Sequence, residues 1–237
     1  MRLPFFLLAL AISTRLLFAT EPGAPETVPL AFKAPDSIPL LSSRGDSHLF
    51  AERFAEAVAD FEKMIALDPG QDAPHWRLGI AYYFAGDFEK SARQFEKYHA
   101  YDGRDRENGI WKFLADARRD GIEKARGRML VYSAFDREPF PALYEMLAGK
   151  KSGAEVLAEM ERKELSANSS VQFFAHYYIG LHEELLGHHD SAAAHLEKAV
   201  TVYAGQQPST SASYMWKVAR LHAAAMAREN ALKAGKK

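Results

Sequence analysis

Residues 72–105 read DAPHWRLGIAYYFAGDFEKSARQFEKYHAYDGRD, and this stretch decides the fold. Its motif residues are Trp76, Leu78, Gly79 and Tyr82 in the first half and Phe88, Ser91 and Phe95 in the second. Gly86 separates the halves and indicates a turn. A small residue such as Gly79 lets two helices cross closely, while large aromatic side chains fill the space on either side. The stretch therefore predicts a pair of packed helices.

The same pattern recurs along the chain at a nearly constant interval. At four places a small residue follows a polar turn residue by four positions: Ala57, Ser91, Ala125 and Ala192. These residues are separated by 34, 34 and 67 positions, and 67 is one short of two intervals of 34. A 34-residue period is typical of the tetratricopeptide repeat (TPR), a helix–turn–helix unit that stacks into a solenoid. The chain therefore resembles a TPR protein.

The resemblance implies an all-α fold, a right-handed α-α superhelix over residues 40–231. We expect repeats over residues 38–71, 72–105, 106–139 and 173–204, a degenerate repeat over 140–172 and a capping helix over 211–231. The degenerate repeat retains two helical segments, about 141–148 and 152–163, with Ser152 as an N-cap. Close helix crossings are expected at Gly79, Ala125, Gly180 and Ala192. The alternative is an unrelated all-α fold of amphipathic helices.

The N-terminal residues have the pattern of a targeting segment. One positive charge at Arg2 precedes a short apolar run, which predicts a secretory signal peptide over residues 1–19. The alternatives are an uncleaved N-terminal membrane anchor, for which the run is short, and a cytosolic protein. Residues 20–39 hold five of the eleven prolines and predict an extended linker.

Composition excludes several classes of function. The formal net charge is −1, so a nucleic-acid partner, which needs a basic surface, is not expected. The chain has no cysteine, so neither a disulfide framework nor a lipid attached through an N-terminal cysteine is possible. We expect a secreted or periplasmic protein that is not lipidated.

The order of elements is similar to that of NlpI-type periplasmic TPR lipoproteins, over about residues 45–225. The most specific piece is the segment around Trp111, followed by Pro139-Phe140-Pro141. The resemblance implies an adaptor that binds cell-envelope enzymes or proteases and commonly forms a dimer. The missing lipidation cysteine is the departure from that group.

Catalytic and metal-binding patterns are incomplete. His182-Glu183 begins like a zinc-protease helix, but the second histidine of H-E-x-x-H would stand at Leu186. We therefore expect no enzyme, metal or cofactor. Two alternatives to the adaptor remain: a structural protein of homo-oligomeric assembly, and a hydrolase with an atypical site at His176, His182 and Glu183.

A partner-binding groove is predicted along the first helix of each repeat. The groove residues are Trp76, Ile80, Tyr83, Phe84, Phe174, Tyr177, Leu181 and Glu184. Aromatic side chains in such a groove favour an apolar helix or an extended peptide as the partner. The alternative is that the chain's own C-terminal helix covers them, with Tyr214, Val218, Leu221 and Ala225 on its inner face.

Overall fold

The computed structural model describes residues 36–203 and 210–234. Within these ranges the chain forms eleven α-helices and one short 3₁₀ helix, with no β-strand. The helices are α1 (Ile38–Phe50), α2 (Phe54–Leu67), α3 (Trp76–Phe84), α4 (Phe88–Tyr101), α5 (Arg106–Asp120), α6 (Ile122–Arg126), α7 (Phe140–Leu147), α8 (Gly153–Arg162), α9 (Ser169–Leu185), α10 (His189–Thr201) and α11 (Thr210–Ala234). The all-α prediction is confirmed. The predicted signal peptide and most of the predicted linker lie outside the described residues.

Neighbouring helices pack in pairs, and the same contact recurs in three of the pairs: a glycine on the first helix lies against a large side chain on the second. A Cβ atom on Gly45 of α1 would lie 2.5 Å from the Phe61 ring of α2, and one on Gly79 of α3 would lie 2.7 Å from the Phe95 ring of α4. Both glycines precede their aromatic partners by sixteen positions, and the two contacts are 34 positions apart. The pair α9 and α10 repeats the sixteen-residue spacing with Gly180 against Leu196, at 3.1 Å from the Leu196 Cγ. The small–large alternation seen in the sequence is therefore a real packing pattern.

The third pair, within the predicted repeat 106–139, departs from the pattern. The α6 helix has only five residues, and no helix forms between Gly127 and Pro139. By the 34-residue interval, Phe113 stands where Gly79 stood and Met129 where Phe95 stood. With a large residue at the crossing, a second full helix cannot approach α5 closely. Ala125 is nonetheless fully buried, as its predicted crossing requires.

The degenerate segment contains the two predicted helices, α7 and α8. Ser152 caps α8: its Oγ accepts from the Glu155 amide at 3.2 Å, and the Glu155 carboxylate accepts from the Ser152 amide at 2.7 Å. This reciprocal capping box satisfies two backbone donors at the helix start. The two helices predicted in this segment are confirmed, and each end lies one residue from the predicted one.

The C-terminal helix α11 packs on α10 and also contacts the first helices α1, α3 and α9 of the pairs. Tyr214 donates to Asp46 of α1 at 2.9 Å, and its ring lies 4.8 Å from that of Trp76 in α3. The buried face of α11 consists of Ala212, Met215, Val218, Ala219, Leu221, His222 and Met226. The predicted inner face included Ala225, which is exposed, because the buried stripe runs through Leu221 and His222 to Met226. Among the helices described, none is long and apolar enough to cross a membrane.

Candidate functional site

The predicted groove residues are mostly buried. The exposed fraction is 0% for Ile80, 6% for Tyr83, 4% for Phe174, 0% for Tyr177 and 1% for Leu181. Trp76, Phe84 and Glu184 are partly exposed. A partner could reach the buried members only where the helices covering them move aside.

His222 of α11 lies at the centre of these aromatic side chains. Tyr177 and the His222 Nδ1 are hydrogen-bonded at 2.7 Å, and the imidazole lies 4.6 Å from the Phe84 ring and 5.7 Å from the Tyr83 ring. Burial lowers the pKa of His222 to about 3, so the imidazole is neutral near pH 7. The interior of the predicted groove therefore holds the chain's own C-terminal helix, which is the alternative that the sequence left open. Partner binding by the groove residues stays a prediction.

Glu184 and Phe174 lie away from His222. The Glu184 carboxylate accepts from Arg118 of α5 at 2.5 Å, and the Arg118 Nε donates to the Tyr83 hydroxyl at 3.3 Å. Phe174 packs instead on Phe140 of α7, with ring centroids 5.0 Å apart. The structure thus joins Tyr83, Tyr177 and Phe84 in one cluster, attaches Glu184 to its edge and places Phe174 elsewhere.

A cavity of about 220 Å³ lies beside α11, between α3, α4 and α5. It is lined by Trp76, Phe95, Tyr98, Asp105, Glu107, Asn108, Trp111 and Met215. Four of these side chains are aromatic and two are acidic. Small-molecule pockets typically measure about 300–1,000 Å³, so this cavity suits something smaller, such as one side chain. We call it the acidic cavity.

One guanidinium links three carboxyl groups at the acidic cavity. Arg137 lies 2.6 Å from the Glu107 Oε2, 3.4 Å from the Asp105 Oδ1 and 3.3 Å from the Asp136 Oδ1. Tyr178 donates to the other Glu107 oxygen at 2.5 Å. These contacts hold Glu107 in place, and they leave more negative than positive charge in the cluster.

The carboxyl groups of the acidic cavity resist ionisation. Burial raises the pKa of Glu107 to about 7, in spite of the opposing charge of Arg137. Burial also raises the pKa of Asp105 above its ordinary value, again against Arg137. Desolvation disfavours the charged form, and a single guanidinium shared by three carboxyls does not offset it. An added cation would lower the pKa of both carboxyls and so favour their charged forms.

Asn108 lines the acidic cavity and lacks a hydrogen-bond partner among the residues that the structure describes. Its exposed fraction is 4%. Neighbouring groups on the same helix are satisfied, since Trp111 donates its indole N–H to Tyr178 at 3.1 Å. The amide atoms of Asn108 are not among the enclosed polar atoms that lack a partner in the described part of the chain, so the amide is open to the cavity and can bond a polar ligand group there.

Sequence reasoning missed the acidic cavity. The sequence marks Trp111 only as part of the segment that is similar to periplasmic TPR lipoproteins, and it does not single out Asp105, Glu107, Asn108 or Arg137. Arg137 follows Glu107 by thirty positions and reaches it from the segment between α6 and α7. The one available signal is Asp105, whose position before α5 identifies it as an N-cap, and its side chain accepts from the Glu107 amide at 3.0 Å.

The histidines considered for a hydrolase are paired differently from the predicted trio. His176 meets His195, with their Nδ1 atoms 2.9 Å apart, while Glu183 meets His188 at 3.0 Å. Burial lowers the pKa of His176 to about 4. His182 is 6% exposed, and neither of its ring nitrogens has a partner in the described part of the chain. That part also contains no group of three or more His, Asp or Glu side chains able to hold a metal ion.

No model of a known protein family matches the chain.

Proposed function

We propose that the chain is a non-enzymatic adaptor built of tetratricopeptide repeats, which coil as a right-handed superhelix and bind other proteins outside the cytoplasm. The observation that carries the proposal is the contact of Gly45 with Phe61 and its copy 34 positions later, Gly79 with Phe95. A helix pair repeated at this interval is the unit of TPR solenoids, whose extended surfaces bind proteins. Envelope enzymes and proteases are the proposed partners, following the resemblance to periplasmic TPR lipoproteins.

Location outside the cytoplasm rests on the N-terminal sequence alone. The apolar run behind Arg2 is the basis for export, and the absence of cysteine means that no lipid is attached through a cysteine thioether. An uncleaved N-terminus is the alternative route to the membrane. N-terminal sequencing of the protein from fractionated cells decides between cleavage near residue 19 and a retained Met1.

The adaptor role is tested by cross-linking in intact cells that produce the full chain with a C-terminal affinity tag. We expect reproducible recovery of the same envelope proteins, identified by mass spectrometry and confirmed by the reciprocal experiment with a tag on each partner. The control is Gly79→Leu, which overpacks the α3–α4 crossing and should abolish capture together with the fold.

Two results would contradict the proposal. Recovery of cross-links only between copies of this chain would favour homo-oligomeric assembly, which light scattering of the purified protein would check. Capture that is unchanged in Gly79→Leu would show that the recovered proteins do not recognise the folded repeats.

A further inference from the structure

We propose that the acidic cavity binds one cationic side chain, a lysine or an arginine, that a partner protein inserts between α3, α4, α5 and α11. The inference rests on the proposed function only in taking the cation from a partner protein. The cavity chemistry itself is independent of it.

The charge of the cavity favours a cation. Asp105, Glu107 and Asp136 share the single guanidinium of Arg137, so the cluster carries a formal excess of two negative charges when all four groups are ionised. The neighbouring cation does not correct this excess, because Arg106 directs its guanidinium onto the Tyr132 ring at 5.1 Å. An entering ammonium or guanidinium would add a second positive charge to a cluster of three carboxyls that now has one.

The walls of the cavity suit the same ligand. Four aromatic side chains line the cavity: Trp76, Phe95, Tyr98 and Trp111. A cation over an aromatic ring is attracted most strongly where water is excluded, and Trp76 and Tyr98 are the partly exposed members that could take this role. The apolar stem of a lysine or arginine would pack on these rings and on Met215 of α11. A neutral polar ligand would gain little from such walls.

The cavity has an exposed side and a buried side, and the charged end of the ligand would lie on the buried side. Trp76, Tyr98 and Asp105 are partly exposed, whereas Asn108 and Trp111 are buried, so the opening lies by the first three and the floor by the last two. The unpartnered amide of Asn108 and the carboxyl of Glu107 would accept the N–H groups that reach the floor. A single side chain has the required length, charge and narrow shape.

The test uses the indole N–H resonances of the full-length, ¹⁵N-labelled protein. The probes are the peptides Ac-Gly-Lys-Gly-NH2 and Ac-Gly-Arg-Gly-NH2, with Ac-Gly-norleucine-Gly-NH2 as the neutral counterpart of lysine. Trp76 and Trp111 report on the cavity, whereas Trp216 is an internal reference because its indole donates to the Val200 carbonyl on α10. One side chain supplies few contact atoms, so the titration extends to about 20 mM.

We expect saturable shifts of the Trp76 and Trp111 resonances with at least one cationic peptide. The norleucine peptide should bind at least about tenfold more weakly than the lysine peptide. Glu107→Gln should weaken binding by a similar factor, and Asn108→Leu should fill the floor and abolish the shifts. Glu123→Gln is the matched control, because this carboxylate is exposed and does not line the cavity. The comparison of lysine with norleucine needs no variant, so it holds even where a substitution unfolds the protein.

Three outcomes would overturn the inference. These are equal binding of the norleucine peptide, no saturable shift with either cationic peptide, and full binding by Asn108→Leu. Butylammonium chloride is a further probe: binding of this free amine with exclusion of both peptides would overturn the assignment to a partner's side chain. Failure of the adaptor role would show differently, as loss of cross-linked partners with peptide binding retained.

Discussion

Gly79→Ala tests whether the contact between Gly79 and Phe95 sets the distance between paired helices. Alanine is the better helix former by about 1 kcal/mol, so on propensity alone the substitution would stabilise α3. The new Cβ, however, would lie 2.7 Å from the Phe95 Cζ and 2.8 Å from its Cε2. Phe95 is fully buried and stacks on Trp111 at 6.1 Å, so its ring has little room to move.

Overpacking a core of this kind costs about 1–3 kcal/mol. Set against the gain in helix propensity, we expect Gly79→Ala to lower the free energy of unfolding by up to about 2 kcal/mol. For a domain of this size that corresponds to a fall in melting temperature of up to about 8 °C. Thermal and urea unfolding followed by circular dichroism at 222 nm measure the change.

The decisive control is the same substitution in a Phe95→Leu background. Leucine lacks the ring atoms that the new Cβ would meet, so there Gly79→Ala should be neutral or stabilising by up to about 1 kcal/mol. The double-mutant cycle should therefore give a coupling of about 2 kcal/mol between the two positions. Additive effects, or a wild-type background stabilised by Gly79→Ala, would refute the reasoning and remove the packing basis of the repeat.

Three further predictions follow from buried polar groups and from the cap of α8. Because burial raises the pKa of Glu107 to about 7, its contribution to stability is complete below about pH 4.5 and is lost as the pH rises through 7. In the wild type this carboxyl should lower the free energy of unfolding by up to about 3 kcal/mol between pH 5 and pH 8, as measured in urea. In Glu107→Gln that part of the fall should be missing, and a fall as large as in the wild type would contradict the prediction. Tyr177→Phe should cost about 1–3 kcal/mol in the same assay at pH 7, because both nitrogens of His222 would then lack a partner among the described residues, whereas Tyr101→Phe on the surface should cost almost nothing. Ser152→Ala should cost about 1 kcal/mol by removing the acceptor for the Glu155 amide, and equal stability of the variant would argue against the capping box.

Local patterns in the sequence predicted most of the helices. The small–large alternation that led to Gly79 and Phe95 is a contact within sixteen residues, and the capping signal at Ser152 acts over three. Both depend on neighbours along the chain, which a sequence displays directly. The short α6 could also have been predicted. Phe113 occupies the position equivalent to Gly79, so the small residue needed at a close helix crossing is missing from this pair.

The candidate site lay beyond such reasoning because its contacts connect distant residues. Tyr178 is 71 positions from Glu107, and His222 is 45 positions from Tyr177. Three of the aromatic side chains predicted for the groove, Tyr83, Phe84 and Tyr177, surround His222 of α11, and periodicity does not indicate that this helix covers them. A repeat pattern predicts the packing within each helix pair. The position of a terminal helix depends on its contacts with several pairs at once, which the pattern does not contain.

The contacts of α11 with residues near the start of the described helices bear on how these helices fold. In an ordinary solenoid each unit touches only its neighbours, so folding can begin anywhere and spread along the array. Here Tyr214 bonds to Asp46 across 168 positions, and Arg228 pairs with Glu52 across 176. The first and last of the described helices thereby contact each other, and such distant contacts slow folding. We therefore expect the described helices to melt together in a single cooperative transition.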